Sequence, residues 1–460
     1  MKLFYLLNTW LLFFITLNFW IFFDRFTYKY QFIFKKDIFI NIDKYQLDLY
    51  FGIDGISIFF IILTTLLLFL STLSIFKSFT NNLYEYAIYF IIIELCLLLT
   101  FSSIDLFQFF ILFESILIPM YLLIGKWGNR FRKIKANFYF FIYTLFGSIM
   151  LLFVIISIYL EIGTTNLSIL YNILFDLNKE RLYWFCIFIS FAVKIPMYPL
   201  HLWLPEAHVE APTIGSVILA ALLLKLGGFG FIKILLPICT ISNIYFSPLV
   251  NMLSLLGLLN ASLIAIRQVD LKRIIAYSSI GHMNLVVLGI FSINIDGIVG
   301  SIFLMIAHGI VSAGLFFSIG ILYDKYHTRN LYYFGGFVQL MPIFSIYFII
   351  LCFANIGLPG TINFVGELLI FISLIQKNLI LTIYATISVI LSVLYTITLC
   401  NKILFGNLKY NYIHLWTDIY KYEQFIIIPL ILLTILLGLL PNYLLNTIFA
   451  SSWYITQILL

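Results

Sequence analysis

Runs of about 20 apolar residues recur along almost the whole chain and are separated by short polar segments. Because roughly 20 apolar residues are needed for an α-helix to cross the hydrocarbon core of a bilayer, each run predicts a transmembrane helix. The longest polar stretch, 24–55, is short and mixed in charge, so no soluble domain is expected. The pattern predicts thirteen crossings: 3–23, 56–76, 84–104, 105–125, 137–161, 182–204, 212–235, 244–266, 270–292, 296–322, 340–376, 379–404 and 424–447.

Two of these runs are interrupted at their centres. The sixth has Pro196 shortly after Lys194, and the eleventh reads NIGLPGTINFVGE, which predicts two half-helices joined at Gly357–Gly360. A broken helix frees backbone groups, which a membrane tolerates only where they face protein or water. The breaks therefore mark places within the membrane where the backbone is expected to face protein or water and not lipid.

The breaks also divide the chain into two similar units. Segments 84–235 and 244–405 each contain five predicted helices, and in each the fourth helix is the broken one. Because five is an odd number, the second unit must sit inverted in the membrane, a pattern typical of transporters with the ion path at the break. The predicted fold is an all-α polytopic membrane protein, with an N-terminal segment 1–83, two inverted repeats and a C-terminal helix within 406–460.

Composition agrees with this interpretation. The chain is 63% hydrophobic and 10% charged, whereas soluble domains have about 25% charged residues. The five cysteines are single and form no CxxC pair, which argues against disulfides, zinc sites and iron–sulfur clusters. No nucleotide-binding loop or catalytic triad is present, and the net charge of +6 does not indicate a nucleic-acid partner.

The basic residues are distributed unequally between the two sides of the predicted membrane. Counted by alternation, fifteen Lys and Arg lie on the side of the N-terminus and nine on the other, with Lys194 and Lys225 inside the membrane. By the positive-inside rule, the N-terminus faces the cytoplasm or the mitochondrial matrix. The high content of Phe and Tyr indicates AT-rich coding and so suggests an organelle genome.

Four ionisable residues lie deep within predicted spans and are the main candidates for a proton or cation path. Glu114 lies about 13 Å into its span, Lys194 lies at the first break, Lys225 lies thirteen residues into the seventh span, and Glu367 follows the second break. Such residues are costly in a membrane and are functional candidates by default. Structural alternatives remain: a neutral hydrogen-bonded acid for Glu114, snorkelling for the lysines and a helix cap for Glu367.

Histidines add to this set. His282 and His308 lie at or near mid-span and suit proton relay near neutral pH, although a hydrogen-bonded helix contact is an equal alternative. His201 and His208 fall in the loop after the first break and suit a structural or access role. Glu94 is a further mid-span acid whose structural and functional interpretations are balanced.

The stretch VKIPMYPLHLWLPEAHVEAPTIGSVILAALLLKLGGFG, residues 193–230, strongly resembles the core of the subunit 4 family of proton-pumping NADH:quinone oxidoreductase, respiratory complex I. The later motifs RQVDLKRIIAYSSIGHMN, LMIAHGIVSAGLFF and GLPGTINFVGELLIF resemble the same family, as does FFILFESILIPMYLLIGKWGN. The resemblance covers roughly 85–405, and the block HLWLPEAHVEAP separates this family from its two antiporter-like sisters.

The resemblance implies specific roles. Glu114 and Lys194 would form a charge pair, Lys225 would be the central lysine, Glu367 the terminal residue, and His282 and His308 relay positions. It implies a redox-driven proton translocase whose NADH, FMN, iron–sulfur clusters and ubiquinone are bound by other subunits.

The partners implied are the other membrane-arm subunits, including the two sister subunits, together with lipids, and the location implied is the mitochondrial inner membrane. The family implies fourteen helices, one more than the apolar runs predict, with the shortage before residue 56. Loss of the first helix would place the N-terminus in the matrix, as the charges also indicate.

Two other functions remain compatible with the sequence. The same fold and lysines would serve a monovalent cation/proton antiporter subunit, and a purely structural membrane spacer would carry inert buried charges.

Overall fold

The structure, a computed structural model, describes residues 2–42, 45–78, 83–128, 130–409 and 417–459. Helices dominate these residues. In chain order the elements are α1 (Lys2–Ile21), β1 (Gln31–Ile42), β2 (Tyr45–Ile53), α2 (Ser57–Ser78), α3 (Leu83–Ser102), α4 (Leu106–Ser115), α5 (Leu117–Trp127), α6 (Lys133–Ile162), α7 (Leu167–Leu170), α8 (Leu177–Lys194), α9 (Trp203–Glu210), α10 (Thr213–Ile218), α11 (Leu224–Gly230), α12 (Leu236–Ile238), α13 (Thr240–Arg267), α14 (Leu271–Ile290), α15 (Ile295–Tyr326), α16 (Phe337–Leu340), α17 (Pro342–Ile356), α18 (Ile362–Lys377), α19 (Leu379–Leu404), α20 (Lys421–Leu439) and α21 (Asn442–Leu459). Two π-helical turns, Leu219–Leu223 and Phe231–Leu235, join α10, α11 and α12 into one continuous rod, and a short 3₁₀ turn lies at Leu331–Tyr333.

Ten helices of the described chain are long and apolar enough to cross a membrane. This confirms the predicted class of polytopic helical membrane protein. The other predicted crossings fall on α1, on α8 with α9 and on α17 with α18, which are short, broken or charged. The full number of thirteen crossings therefore stays a prediction.

Both predicted helix breaks are present. The chain leaves helical geometry between α8 and α9, directly after Lys194, and again between α17 and α18, where Gly357 and Gly360 have φ of +80° and +91°. Each break lies in the fourth helix of its predicted unit. Left-handed backbone is costly for residues with a Cβ, so glycine is the residue that allows the second break.

The rod of residues 213–238 forms the centre of the molecule and is buried along its whole length. Helix α15 is likewise buried from Gly297 to Leu322 and packs against α18 through small residues. A Cβ on Gly366 would lie 2.9 Å from Leu304 of α15, and one on Gly300 would lie 2.8 Å from Leu369. These close approaches bring the second broken helix directly against the centre of the fold.

The all-α prediction missed one feature. Strands β1 and β2 form an antiparallel hairpin, paired for example at Lys35 with Tyr50, within the stretch 24–55 that the sequence predicts only as polar. The run Tyr45–Leu49 alternates strictly between apolar and polar residues, which is the pattern of a strand. Lys44, one of the nine basic residues assigned to the less basic side, lies outside the described residues.

The predicted last span, 424–447, is also wrong in its extent. Helix α20 ends at Leu439, and after Pro441 a second helix, α21, begins. Its buried residues recur every three or four positions, and Tyr454 stacks on Tyr28 at 4.4 Å between ring centroids. The C-terminal segment is therefore two helices, of which α21 is amphipathic.

Candidate proton-transfer site

Lys225 lies at the centre of the buried rod, in α11 between the two π-helical turns, and none of its surface is exposed. Its Nζ donates to the Ala220 carbonyl at 2.6 Å and lies 2.8 Å from Nδ1 of His308 on α15. When Lys225 is a charged ammonium it can only donate, so in that state Nδ1 accepts and the imidazole proton lies on Nε2. Lys225 is thus hydrogen-bonded to a group that can take its proton.

The contact continues from His308 to the second repeat. The His308 and His282 rings are 5.5 Å apart, and Nδ1 of His282 lies 3.4 Å from Oε1 of Glu367 on α18. All three side chains are buried. Four predicted residues, from three helices and the central rod, therefore form one series: Lys225, His308, His282 and Glu367.

The second helix break positions the last member of this series. Gly357 ends α17, and a Cβ at that position would lie 2.5 Å from Oε2 of Glu367. The absence of a side chain lets the carboxylate pack against the backbone of the break. Half-helix ends carry unpaired backbone dipoles, which can hydrate and stabilise an ionisable group.

A cavity of about 30 Å³ lies beside Glu367, between α13, α14 and α19. Its lining includes His282, Tyr277, Ser262, Ser392 and Tyr395. This is large enough for a water molecule, and the hydroxyl groups supply hydrogen-bond partners. Glu367 therefore borders a polar space and not only apolar side chains.

The predicted pair of Glu114 and Lys194 is brought close but not into contact. No ion pair within 4 Å joins them, and Nζ of Lys194 lies 4.1 Å from the ring centroid of Phe113, the residue before Glu114. Both side chains are within electrostatic range of each other, and one oxygen of Glu114 has no hydrogen-bond partner among the described residues. The structure thus brings the two side chains near each other without an ion pair between them.

The segment after the first break is predicted as a loop, but it contains helix α9, on which His208 lies. His208 is fully buried and stacks on Phe316 at 5.1 Å, while His201 retains slight exposure. Arg273 pairs with Glu206 at 2.6 Å, and the buried Lys272 donates to the Ala211 carbonyl at 2.8 Å. The segment between the first break and α10 is therefore fixed to the start of α14.

The structure corrects the place of Lys233. The charge count assigns it to a loop on the less basic side, but it lies buried in the second π-helical turn and forms an ion pair with Asp54. Tyr171 donates to the Lys233 carbonyl at 2.8 Å. The signal is present in the sequence, since Lys233 is flanked by FGFI and ILLP.

Glu94, whose role the sequence leaves open, is 2% exposed on α3. One of its carboxylate oxygens has no hydrogen-bond partner among the described residues. It lies outside the series from Lys225 to Glu367.

Comparisons with known proteins agree with this architecture. The family model described as NADH:quinone oxidoreductase/Mrp antiporter, TM, matches residues 103–394. NADH-ubiquinone oxidoreductase chain 4 of Chondrus crispus is 48% identical over 96% of this chain and 89% of its own length. The chain belongs to the NADH-ubiquinone oxidoreductase chain 4 family.

A further curated relative and two solved structures also resemble the chain. NADH-quinone oxidoreductase subunit M of Rickettsia prowazekii (strain Madrid E) is 40% identical over 97% of this chain and 90% of its own length. A chain in the structure of respiratory complex I from Thermus thermophilus with bound NADH has a TM-score of 0.92 at 26% identity, covering all of this chain and 95% of that one. A chain of the Mrp complex from Dietzia sp. has a TM-score of 0.84 at 17% identity, covering 99% of this chain and 93% of that one, which shows the shared fold alone.

These findings confirm the family predicted from the sequence and the antiporter-like fold. They also confirm the prediction of a complex I membrane-arm subunit. The roles of individual residues and the boundaries of the two repeats stay predictions.

Proposed function

We propose that the chain conducts protons through the membrane arm of complex I, along the series Lys225, His308, His282 and Glu367. The observation that carries this proposal is the 2.8 Å contact between Nζ of Lys225 and Nδ1 of His308. It joins the central lysine to an imidazole that leads on to a carboxylate in the other repeat. Lysine, imidazole and carboxylate are the groups that exchange protons in membrane pumps.

The separated pair of Glu114 and Lys194 acts as the switch of this pathway. When Glu114 approaches Lys194 it favours the ammonium form, and when it withdraws the lysine gives up its proton more readily. In the structure Nζ of Lys194 lies over the ring of Phe113, the residue next to Glu114 in the sequence. Proton uptake near residues 201–212 and release near Glu367 complete the proposed path.

The chain acts as a subunit of NADH:quinone oxidoreductase and has other complex I subunits as partners. We place NADH, FMN, the iron–sulfur clusters and ubiquinone in those subunits, and the two sister antiporter-like subunits beside this chain. Its proposed location is the mitochondrial inner membrane, with the N-terminus in the matrix. The unequal distribution of basic residues along the sequence supports this orientation.

The contacts favour protons over sodium as the transported ion. Hard cations are bound by several oxygen ligands, whereas the groups in contact at the centre are an amine and imidazoles. The antiporter alternative predicts sodium-dependent proton movement. A sodium requirement in reconstituted complex would favour it.

Substitution of Lys225 tests the proposal. In assembled complex reconstituted into sealed vesicles, Lys225→Gln is expected to lower the number of protons moved per NADH oxidised. Lys179→Gln, which removes an exposed ion pair with Glu161, is the matched control. A Lys225→Gln complex that pumps as many protons per NADH as the control would overturn the pathway.

A further inference from the structure

Asn363 lies in the first turn of α18, directly after the second helix break, and none of its surface is exposed. Neither its amide nitrogen nor its oxygen has a hydrogen-bond partner among the described residues. It precedes Glu367 by four residues, so the two side chains lie on the same face of the helix. A polar side chain without partners in the described chain therefore lies one turn from the terminal carboxylate.

Helix packing places Asn363 at the level of His308. Helices α15 and α18 run antiparallel, since Gly297 meets Ser373, while Gly366 meets Leu304 further along. Four residues beyond Leu304 is His308, about 6 Å along the axis of α15. A similar distance back from Gly366 along α18 leads to the first turn, where Asn363 lies.

Two further atoms in this region also have no partner. Nε2 of His308 and Nε2 of His282 are buried and unpaired among the described residues. In each histidine the other nitrogen, Nδ1, is the one that faces a charged group. The two imidazole nitrogens and the Asn363 amide are thus unused polar groups on three helices that pack together.

Unpaired buried polar groups are costly, and in native proteins they are commonly satisfied by bound water. We propose that Asn363 is a positioning residue that holds water between Nε2 of His308 and the carboxylate of Glu367. This inference rests on the proposed function and adds a second route to Glu367 beside the one through His282. Asn363 touches the water and does not itself exchange a proton.

The protons balance in each step of this route. Lys225 gives a proton to Nδ1 of His308, and the proton on Nε2 passes to the water. The water passes a proton to the Glu367 carboxylate and is regenerated. At the end Lys225 is a neutral amine, Glu367 is a neutral acid, and His308 has changed from the Nε2–H to the Nδ1–H tautomer.

Two variants of equal shape separate this role from packing. Asn363→Val and Asn363→Thr differ only in whether a methyl or a hydroxyl group is present, and only Thr can hold water. Protons moved per NADH are measured in sealed vesicles with the complete complex, which corrects for differences in assembly. We expect Val to lower the number of protons moved per NADH to the share carried by the route through His282, and Thr to retain the value of the parent. If Asn363→Val does not assemble, Asn363→Leu replaces it as the apolar variant.

A buried asparagine elsewhere is the control. Asn251 on α13 is also buried, with a side-chain oxygen that is unpaired among the described residues, and it lies outside the series of relay residues. Asn251→Val is expected to pump like the parent.

Equal pumping by the Asn363→Val and Asn363→Thr variants, whether normal or reduced, would overturn the role of Asn363. Lys225→Gln measured in parallel tells the two proposals apart: if it lowers pumping while Asn363→Val does not, only the water position is wrong.

Discussion

Gly357→Ala is the sharpest test of how the second break positions Glu367. The substitution adds one methyl group at a residue whose φ is +80°. That methyl would lie 2.5 Å from Oε2 and 3.1 Å from Cδ of Glu367. Ordinary van der Waals contact begins near 3.4 Å, so the carboxylate must shift by about 1 Å, a displacement that can cost a reaction step up to about 100-fold.

Backbone strain must be separated from this displacement. A left-handed conformation costs a residue with a Cβ about 1–2 kcal/mol. Gly163 supplies the control, because its φ is +82° and a Cβ there would meet nothing within 4 Å.

The assay is the number of protons moved per NADH by complete complex in sealed vesicles, with thermal unfolding recorded in parallel. Gly357→Ala and Gly163→Ala are expected to lose similar stability, whereas only Gly357→Ala loses pumping. Equal pumping by the Gly357 and Gly163 variants would refute the argument that the break exists to seat Glu367.

Two further substitutions test contacts of the interior. His308→Gln keeps hydrogen bonding to Lys225 but cannot relay a proton, so pumping per NADH should fall while assembly stays normal; unchanged pumping would mean that His308 is only a helix contact. Lys233→Met leaves Asp54 buried without its partner and should lower the free energy of unfolding by about 3–5 kcal/mol, measured by thermal unfolding of the complex. Adding Asp54→Leu should regain much of this lost stability. A Lys233→Met variant as stable as the parent would show that the ion pair is not important for stability.

Hydropathy and helix-breaking residues predict most of the architecture. Apolar runs and the sequences around Lys194 and Gly357 locate the helices and both breaks, because the cost of unpaired backbone in lipid leaves few alternatives. The hairpin and α21 escape prediction for a shared reason. Side chains that face the same way recur every two residues in the hairpin and every three or four in α21. Both patterns are weaker signals than a run of 20 apolar residues.

The site can be predicted only as a set of residues. Burial at mid-span singles out Lys225, His282, His308 and Glu367, but the sequence does not contain the packing of α14 and α15 that joins them. The predicted span 212–235 contains Lys233, but the charge count assigns it to a loop, because a charge near the end of a span can lie on either side of the boundary. Glu114 and Lys194 are expected as a pair, whereas the contact of Lys194 with the ring of Phe113 carries no signal in a hydropathy pattern.

The π-helical turn at Leu219–Leu223 has a consequence for how this protein family can vary. Each residue of an α-helix turns the chain by about 100°, so deleting one residue from this turn would rotate Lys225 away from His308 by roughly that angle. Such a deletion would leave the hydropathy of the rod, its length across the membrane and its buried character almost unchanged. A lineage could therefore lose proton transfer through an event that composition cannot detect, and alignment gaps within 219–223 become a marker of chains that have kept the fold without the pump.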